Sequence, residues 1–266
     1  MIKKTAIVFV LSLIILLTSY RLASATFFGE VETGLHHNEE DRYGFSYYIP
    51  KNYSSDRLWP LMIALHDSGG KGKDYIQAWI DYAEQRGVIL LCPTYQEPRE
   101  VSYDIDKRLL NLITDLKSRY EVYPSRIWIV GSGFGGHYGF YLGTKYPKEF
   151  TASASIGNGL EGILSKVFNL SYAEVNKVPA LVIVAAGSFA SQKDSQAKLE
   201  ELKSQGYSVE VVEMDNLDRA QPADIYPYIF DWFIQTAKLR EKGKSVRSGV
   251  VKEKFLEWVD GLFQTE

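Results

Sequence analysis

Cysteine is almost absent from this chain: 266 residues carry a single thiol, Cys92. One cysteine excludes an internal disulfide, and within the apolar run "VILLCP" (88–93) it reads as a small buried hydrophobe. An excess of positive charge is missing too, with 30 Lys and Arg against 33 Asp and Glu. That balance argues against nucleic acid as the main partner. No apolar run reaches the roughly 20 residues that a membrane-spanning helix needs. Internal repeats and low-complexity tracts are also lacking. What is present, 45% hydrophobic residues over this length, suffices for one sizeable core and forces no second domain.

The N-terminus has an organisation of its own. Lys3 and Lys4 precede an apolar run at 6–17, followed by the small residues Ala23, Ser24 and Ala25. Charged start, short apolar centre and small residues before the cut are the marks of a secretory signal peptide, here 1–25, cleaved after Ala25. The expected location is outside the cytoplasm, secreted or periplasmic. An uncleaved anchor is the rival reading, weakened by the short run and by Arg21 close behind it. Cleavage removes Lys3, Lys4 and Arg21 and leaves 27 positive against 33 negative charges, with no stable membrane span.

Strand-like and helix-like segments then alternate through residues 26–240. Strands are expected at 45–50, 60–66, 88–93, 126–131, 152–157, 179–186 and 208–215. Helices are expected at 74–87, 104–120, from 135, at 191–206 and at 222–240. The strands are continuous apolar runs rather than alternating ones, the pattern of strands buried on both faces. The fold class is therefore α/β, a mostly parallel central sheet with helices on both faces, in a single domain. Residues 241–249, "EKGKSVRSG", read as a polar linker. Residues 250–266 read as an amphipathic helix with Val251, Phe255, Trp258, Val259 and Leu262 on one face. It either docks on the domain or binds a protein partner.

The stretch "RIWIVGSGFGGHYGFYLG" (126–143) places a sharp glycine turn between a strand and a helix. A nucleophile elbow has the form Gly-x-nucleophile-x-Gly in that setting. The pattern fits Gly131, Ser132, Gly133, Phe134 and Gly135, so glycine stands at the tip. Centring it on Ser132 would require glycines where Val130 and Phe134 stand.

With "PLMIALHDSGGKGKDY" (60–75) and "VEVVEMDNLDRAQPADIYPYIFDWF" (209–233), this stretch resembles the α/β-hydrolase superfamily. The nearest branch is similar to secreted esterases of the polyhydroxybutyrate-depolymerase and feruloyl-esterase type, with dienelactone-hydrolase-like carboxylesterases close by. The resemblance covers roughly residues 43–236 and implies the α/β-hydrolase fold. It also implies a serine at the elbow, where this chain has Gly133. The acid after the strand matching "ALVIVAA" falls on Ala190, and the histidine before the last helix falls on Arg219. Composition bears on the last point independently, because all four histidines (His36, His37, His66, His137) precede residue 138. A serine hydroxyl is a weak nucleophile until an oriented base takes its proton. The expectation is a pseudo-hydrolase, with an active ester hydrolase using a relocated site as the alternative.

Ser132 with His137 is the unconventional catalytic pair, set against a buried serine beside a histidine at a helix start. His66 ends a strand and by the resemblance orders the loop after it. The family's "LHGGGG" is matched by Leu65, His66, Asp67, Ser68, Gly69 and Gly70. Asp67 thus replaces a glycine and is expected either to be solvated or to repel anionic ligands. Backbone N–H groups of Phe134 and Gly135, facing the Ser68–Gly69 loop, are expected to form an open site for an anion or carbonyl oxygen. The ligand-binding residues are therefore Asp67, Ser68, Gly69, Phe134 and Gly135, and the ligand a small ester, carboxylate or polymer-derived molecule. "HHNEED" (36–41) reads as a solvated turn rather than a metal site. No metal and no cofactor is expected. Tyr47, Tyr48, Tyr75, Trp79, Tyr95 and Tyr138 read as core or as a cleft wall.

Overall fold

The computed structural model describes residues 32–38, 43–95, 103–157, 177–185, 193–214, 217 and 222–242. The chain divides into Met1–Thr33 and Gly34–Glu266, and the sheet with its helices belongs to the second unit. The signal segment 1–25, most of the linker 241–249 and the helix expected at 250–266 lie outside the described residues.

Eight strands form one sheet: β1 (Gly34–Asn38), β2 (Phe45–Ile49), β3 (Trp59–Leu65), β4 (Ile89–Pro93), β5 (Val122–Ser132), β6 (Ala152–Ile156), β7 (Ala180–Ala185) and β8 (Val209–Met214). Their order is β1-β2-β4-β3-β5-β6-β7-β8. From β4 through β8 every pairing is parallel, while β1 and β2 add an antiparallel edge. The described helices are α1 (Gly72–Tyr75), α2 (Ile80–Arg86), α3 (Tyr103–Arg119), α4 (Phe134–Lys145), α5 (Lys193–Ser204) and α6 (Pro222–Glu241). A 3-10 turn, Ile76–Ala78, joins α1 to α2. None of the described helices is long and apolar enough to cross a membrane.

Alternation within the apolar runs explains why they are apolar throughout. Leu61, Ile63, Leu65, Ile127 and Ile129 face one core with Leu109 and Ile113 of α3 and Leu142 of α4. Met62, Ala64, Trp128 and Val130 face the other, with Trp79, Phe230 and Phe233. Successive side chains of a strand point to opposite faces, so a sheet covered on both sides is apolar on both, and a buried polar residue such as Glu210 of β8 stands there only with partners, Tyr228 and Trp232. Cys92 is buried in the second core, where desolvation pushes its thiol far above its ordinary range.

Three expectations are corrected. His36, His37 and Asn38 are not in a solvated turn but in β1, paired with Tyr47, Ser46 and Phe45. His36 stacks on Tyr47 with centroids 4.7 Å apart, and His37 Nδ1 lies 2.7 Å from Ser46 Oγ. The ladder to β2 supplies partners that a local reading of two histidines does not reveal. The single helix expected at 74–87 is broken into α1, the 3-10 turn and α2. Finally, Glu241, expected as the first linker residue, ends α6 and holds Arg126 through two bonds of 2.9 and 3.0 Å.

Register positions the site. Strands β3 and β5 are parallel neighbours with Leu65 opposite Gly131. The loop after β3 and the turn after β5 therefore leave the sheet side by side, at the carboxyl edge where open α/β sheets form their ligand crevices.

Candidate functional site

Gly133 stands at the strand–helix turn with φ 53° and ψ −125°, a backbone conformation that strains any residue with a Cβ. Its N–H donates to Ile156 O at 3.0 Å, and its own carbonyl accepts the N–H of Gly136 at 3.0 Å. The flanking glycines are needed for contact rather than for torsion. A Cβ on Gly131 would lie 2.2 Å from the Gly135 carbonyl group, and one on Gly135 2.3 Å from Leu65 O. Helix α4 thus lies almost on the backbone of β3 and β5, and only glycine permits that approach.

Ser132 does not rise from the turn. Its hydroxyl lies 2.7 Å from the Tyr75 hydroxyl at the end of α1. Burial, and then the neighbouring Tyr226, hold the Tyr75 phenol well above its ordinary range, so Tyr75 keeps its proton and is no base for Ser132. His137 is half-buried in the first turn of α4, where its N–H donates to Gly133 O at 3.3 Å.

The loop after β3 is held from several sides. The buried His66 ring stacks on Tyr95 with centroids 4.2 Å apart. Its Nε2 accepts the Tyr95 N–H at 3.4 Å, so Nδ1 carries the proton and donates it to Asp67 O at 2.7 Å. Desolvation keeps this imidazole below its ordinary pKa and neutral at pH 7. The Tyr95 hydroxyl donates in turn to His66 O. Gly70 N–H closes the turn on Asp67 O at 3.0 Å, with Gly69 at φ +73° in the position where such a turn needs glycine.

Held in this way, the Asp67 backbone directs its carboxylate at the elbow. Oδ1 accepts the N–H of Ser68 at 2.7 Å and the N–H of Phe134, the first residue of α4, at 2.8 Å. Asp67, Ser68 and Phe134 lie together, but the Phe134 donor is not open. A carboxylate fills the place where an outside anion or carbonyl oxygen was to bind. Nor is Asp67 merely solvated: although exposed, it caps a helix that has no side-chain cap of its own at Gly133. In the sequence the pair stands as Asp67 directly after His66 and Gly133 at the tip of the glycine turn. Ala190 and Arg219 lie outside the described residues.

Two further features support the turn. Asp106 of α3 is fully buried and accepts four bonds from α4 and the residue that ends it, from Tyr138, Tyr141, Lys145 and Tyr146 at 2.7 to 3.1 Å. Burial works to lower the Lys145 pKa, but its bonds to Asp106 and Tyr141 outweigh it and hold the ammonium above its ordinary range. Beside the turn, a cleft of about 530 Å³ is lined by Tyr43, Tyr95, Ile105, Arg108, Leu112 and Tyr138, among others. Tyr95 and Tyr138 also flank Phe134, at 6.2 and 6.3 Å between centroids, so they form a wall shared by cleft and elbow. Among the described residues no group of three or more His, Cys, Asp or Glu could hold a metal ion.

Sheet, helices and strand–helix turn together define an α/β-hydrolase fold. Solved structures agree. The chain is similar to a thermostable esterase (TM-score 0.54, 18% identity) over 76% of its own length and 62%, less than two thirds, of that enzyme's. It is similar to the fluorophosphonate-binding serine hydrolase F of Staphylococcus aureus (TM-score 0.57, 10% identity; 76% and 97% covered). It is likewise similar to a ferulic acid esterase of Anaeromyces mucronatus (TM-score 0.53, 12% identity; 77% and 87% covered). No protein-family model and no curated protein matches the sequence. At these identities the likeness is one of fold.

Proposed function

We propose that this chain is a pseudo-hydrolase: an exported protein that uses the α/β-hydrolase fold to bind a ligand or assist a partner, without ester hydrolysis by a serine triad. The observation that carries the reading is Gly133 at the tip of the elbow, with the Asp67 carboxylate beside it in the space of a side chain. A covalent mechanism needs a nucleophile, a base and an orienter within hydrogen-bond reach of one another. Here the tip bears no side chain and no histidine follows residue 137. Supporting export is the pattern of residues 1–25, and residues 250–266 are the candidate contact for a protein partner. The aromatic cleft beside Tyr95 and Tyr138 has the volume of a small-molecule site, within about 300–1,000 Å³. It suits a small ester, a carboxylate or a polymer-derived fragment.

The second reading, an ester hydrolase with a relocated site, is favoured by the likeness to a thermostable esterase and a ferulic acid esterase. Its nucleophile would be Ser132. Labelling of the purified protein with a fluorophosphonate separates the two. The pseudo-hydrolase reading expects no labelling and p-nitrophenyl ester turnover barely above buffer. Stoichiometric labelling that is lost in Ser132→Ala overturns it.

A further inference from the structure

Gly133 and Asp67 claim the same space. A Cβ built on Gly133 would stand 2.1 Å from Asp67 Cγ, with the two carboxylate oxygens at 2.1 and 2.3 Å. Contacts below 3.0 Å are essentially never made by a real Cβ, so any side chain at the tip must displace the Asp67 carboxylate from the two N–H groups that hold it. The torsion at Gly133 adds a second, independent bias towards glycine.

The same carboxylate also answers the donors of the turn. An oxyanion hole is a set of N–H groups aimed where negative charge develops on a substrate oxygen. Asp67 Oδ1 already holds that place, accepting from Phe134 N and Ser68 N. We propose that Asp67 is a built-in occupant of this hole, an aspartate that stands in for both the nucleophile's side chain and the anionic oxygen the hole would bind. Asp67 thereby determines what the elbow takes: with it in place, carboxylates and carbonyl oxygens find no donor at Phe134. The His66 and Gly70 bonds to Asp67 O fix the backbone, and the N–H groups of Ser68 and Phe134 hold the carboxylate upon it.

This inference deepens the pseudo-hydrolase reading and rests on it, but the two fail separately. Labelling and ester turnover test the reading; stability coupling and amide behaviour test the occupant. The first measurement is a double-mutant cycle on the full mature chain. Gly133→Ala adds the bare Cβ, and Asp67→Gly removes the carboxylate while restoring the residue of the similar loops. Torsional strain at 133 is common to both backgrounds and cancels, leaving the clash as the coupling. The expected result is a clear fall in denaturation midpoint for Gly133→Ala in the wild-type background, at least halved in the Asp67→Gly background. Additive midpoints overturn the proposal.

The second measurement tracks the amide signals of Ser68 and Phe134 by NMR, with acetate as the probe. Hydrogen exchange at Phe134 should quicken at least about tenfold in Asp67→Gly, because a bond to an ionised acceptor is of the stronger kind. Asp67→Asn, which keeps an acceptor oxygen in place, should leave exchange slow and so separates loss of the bond from a disturbed loop. Acetate should shift the Phe134 amide of Asp67→Gly and leave that of the wild type unmoved. An equal shift in both proteins, or unchanged exchange at Phe134 in Asp67→Gly, overturns the occupant. Absence of any acetate response in Asp67→Gly overturns the assignment of these donors as an oxyanion hole.

Discussion

Replacing Asp106 by asparagine tests how the helix behind the elbow is held. The carboxylate is fully buried and accepts four bonds, one at Oδ1 from Tyr138 and three at Oδ2 from Tyr141, Lys145 and Tyr146. Asparagine keeps the shape but offers one acceptor oxygen and one donor NH2. With the amide oxygen in the Oδ2 place, three partners keep an acceptor, and the Tyr138 hydroxyl turns round to accept from the NH2. What is lost is the charge opposite Lys145. Removing one partner of a buried ion pair costs about 3–5 kcal/mol when the other charge is stranded. Lys145 is 23% exposed and recovers part of its hydration, so about 2–3 kcal/mol is expected for Asp106→Asn. Asp106→Ala strands the three hydroxyls as well and should cost about 4–5 kcal/mol. Urea denaturation at pH 7, monitored by tryptophan fluorescence and circular dichroism, reads both as shifts in midpoint at constant slope. Asp106→Asn within about 0.5 kcal/mol of wild type, inside the range of an ordinary surface change, would refute this account. So would an alanine variant no worse than the asparagine.

Two glycines of the elbow should rank by what their Cβ would meet. Gly131→Ala drives a methyl into the rigid Gly135 backbone and should cost at least about 3 kcal/mol. Gly136→Ala meets first the Ser155 hydroxyl, which can rotate, and only grazes the Gly131 carbonyl oxygen at 2.9 Å, so it should cost about 1–2 kcal/mol; equal thermal shifts would contradict the packing described. His66 gives a pH signature. Its folded pKa lies below the ordinary 6.5, so below 6.5 the unfolded chain binds a proton that the folded one refuses. Its stabilising contribution is present above 6.5 and is lost as pH falls through the folded value. The wild-type melting temperature should therefore drop more between pH 7.5 and 5.5 than that of His66→Gln, and parallel curves would count against a neutral buried imidazole. Intact-mass measurement of the exported protein should find Thr26 at the N-terminus, whereas a secreted form retaining residues 1–25 would rule out the cleavage.

Much of the fold was legible because the deciding signals are local. The apolar runs at β3, β4, β5 and β7 are short and two-sided, and a run of that kind has few uses outside a helix-covered sheet. The glycine spacing from Gly131 to Gly136 likewise identified the turn and its tip, since torsion and close backbone approach can each be read from residue type. Where the sequence misled, partners were distant. His36 and His37 look like loop residues until β2 is laid beside them. Asp106 looks like one more charge on an amphipathic helix until four donors of α4 and its C-terminal end converge on it.

Residue order alone thus determined the class of fold, the place of the turn and the absence of a side chain at its tip. Tertiary structure decided what stands there instead. Asp67 and Phe134 are 67 residues apart, and no periodicity links them. They meet because parallel pairing of β3 with β5 sets Leu65 opposite Gly131, bringing the ends of both strands to one edge of the sheet. There the Asp67 carboxylate, held by its own backbone turn, finds the first N–H of α4 without a partner. A helix start lacking its own cap is satisfied by whichever acceptor the fold carries to it.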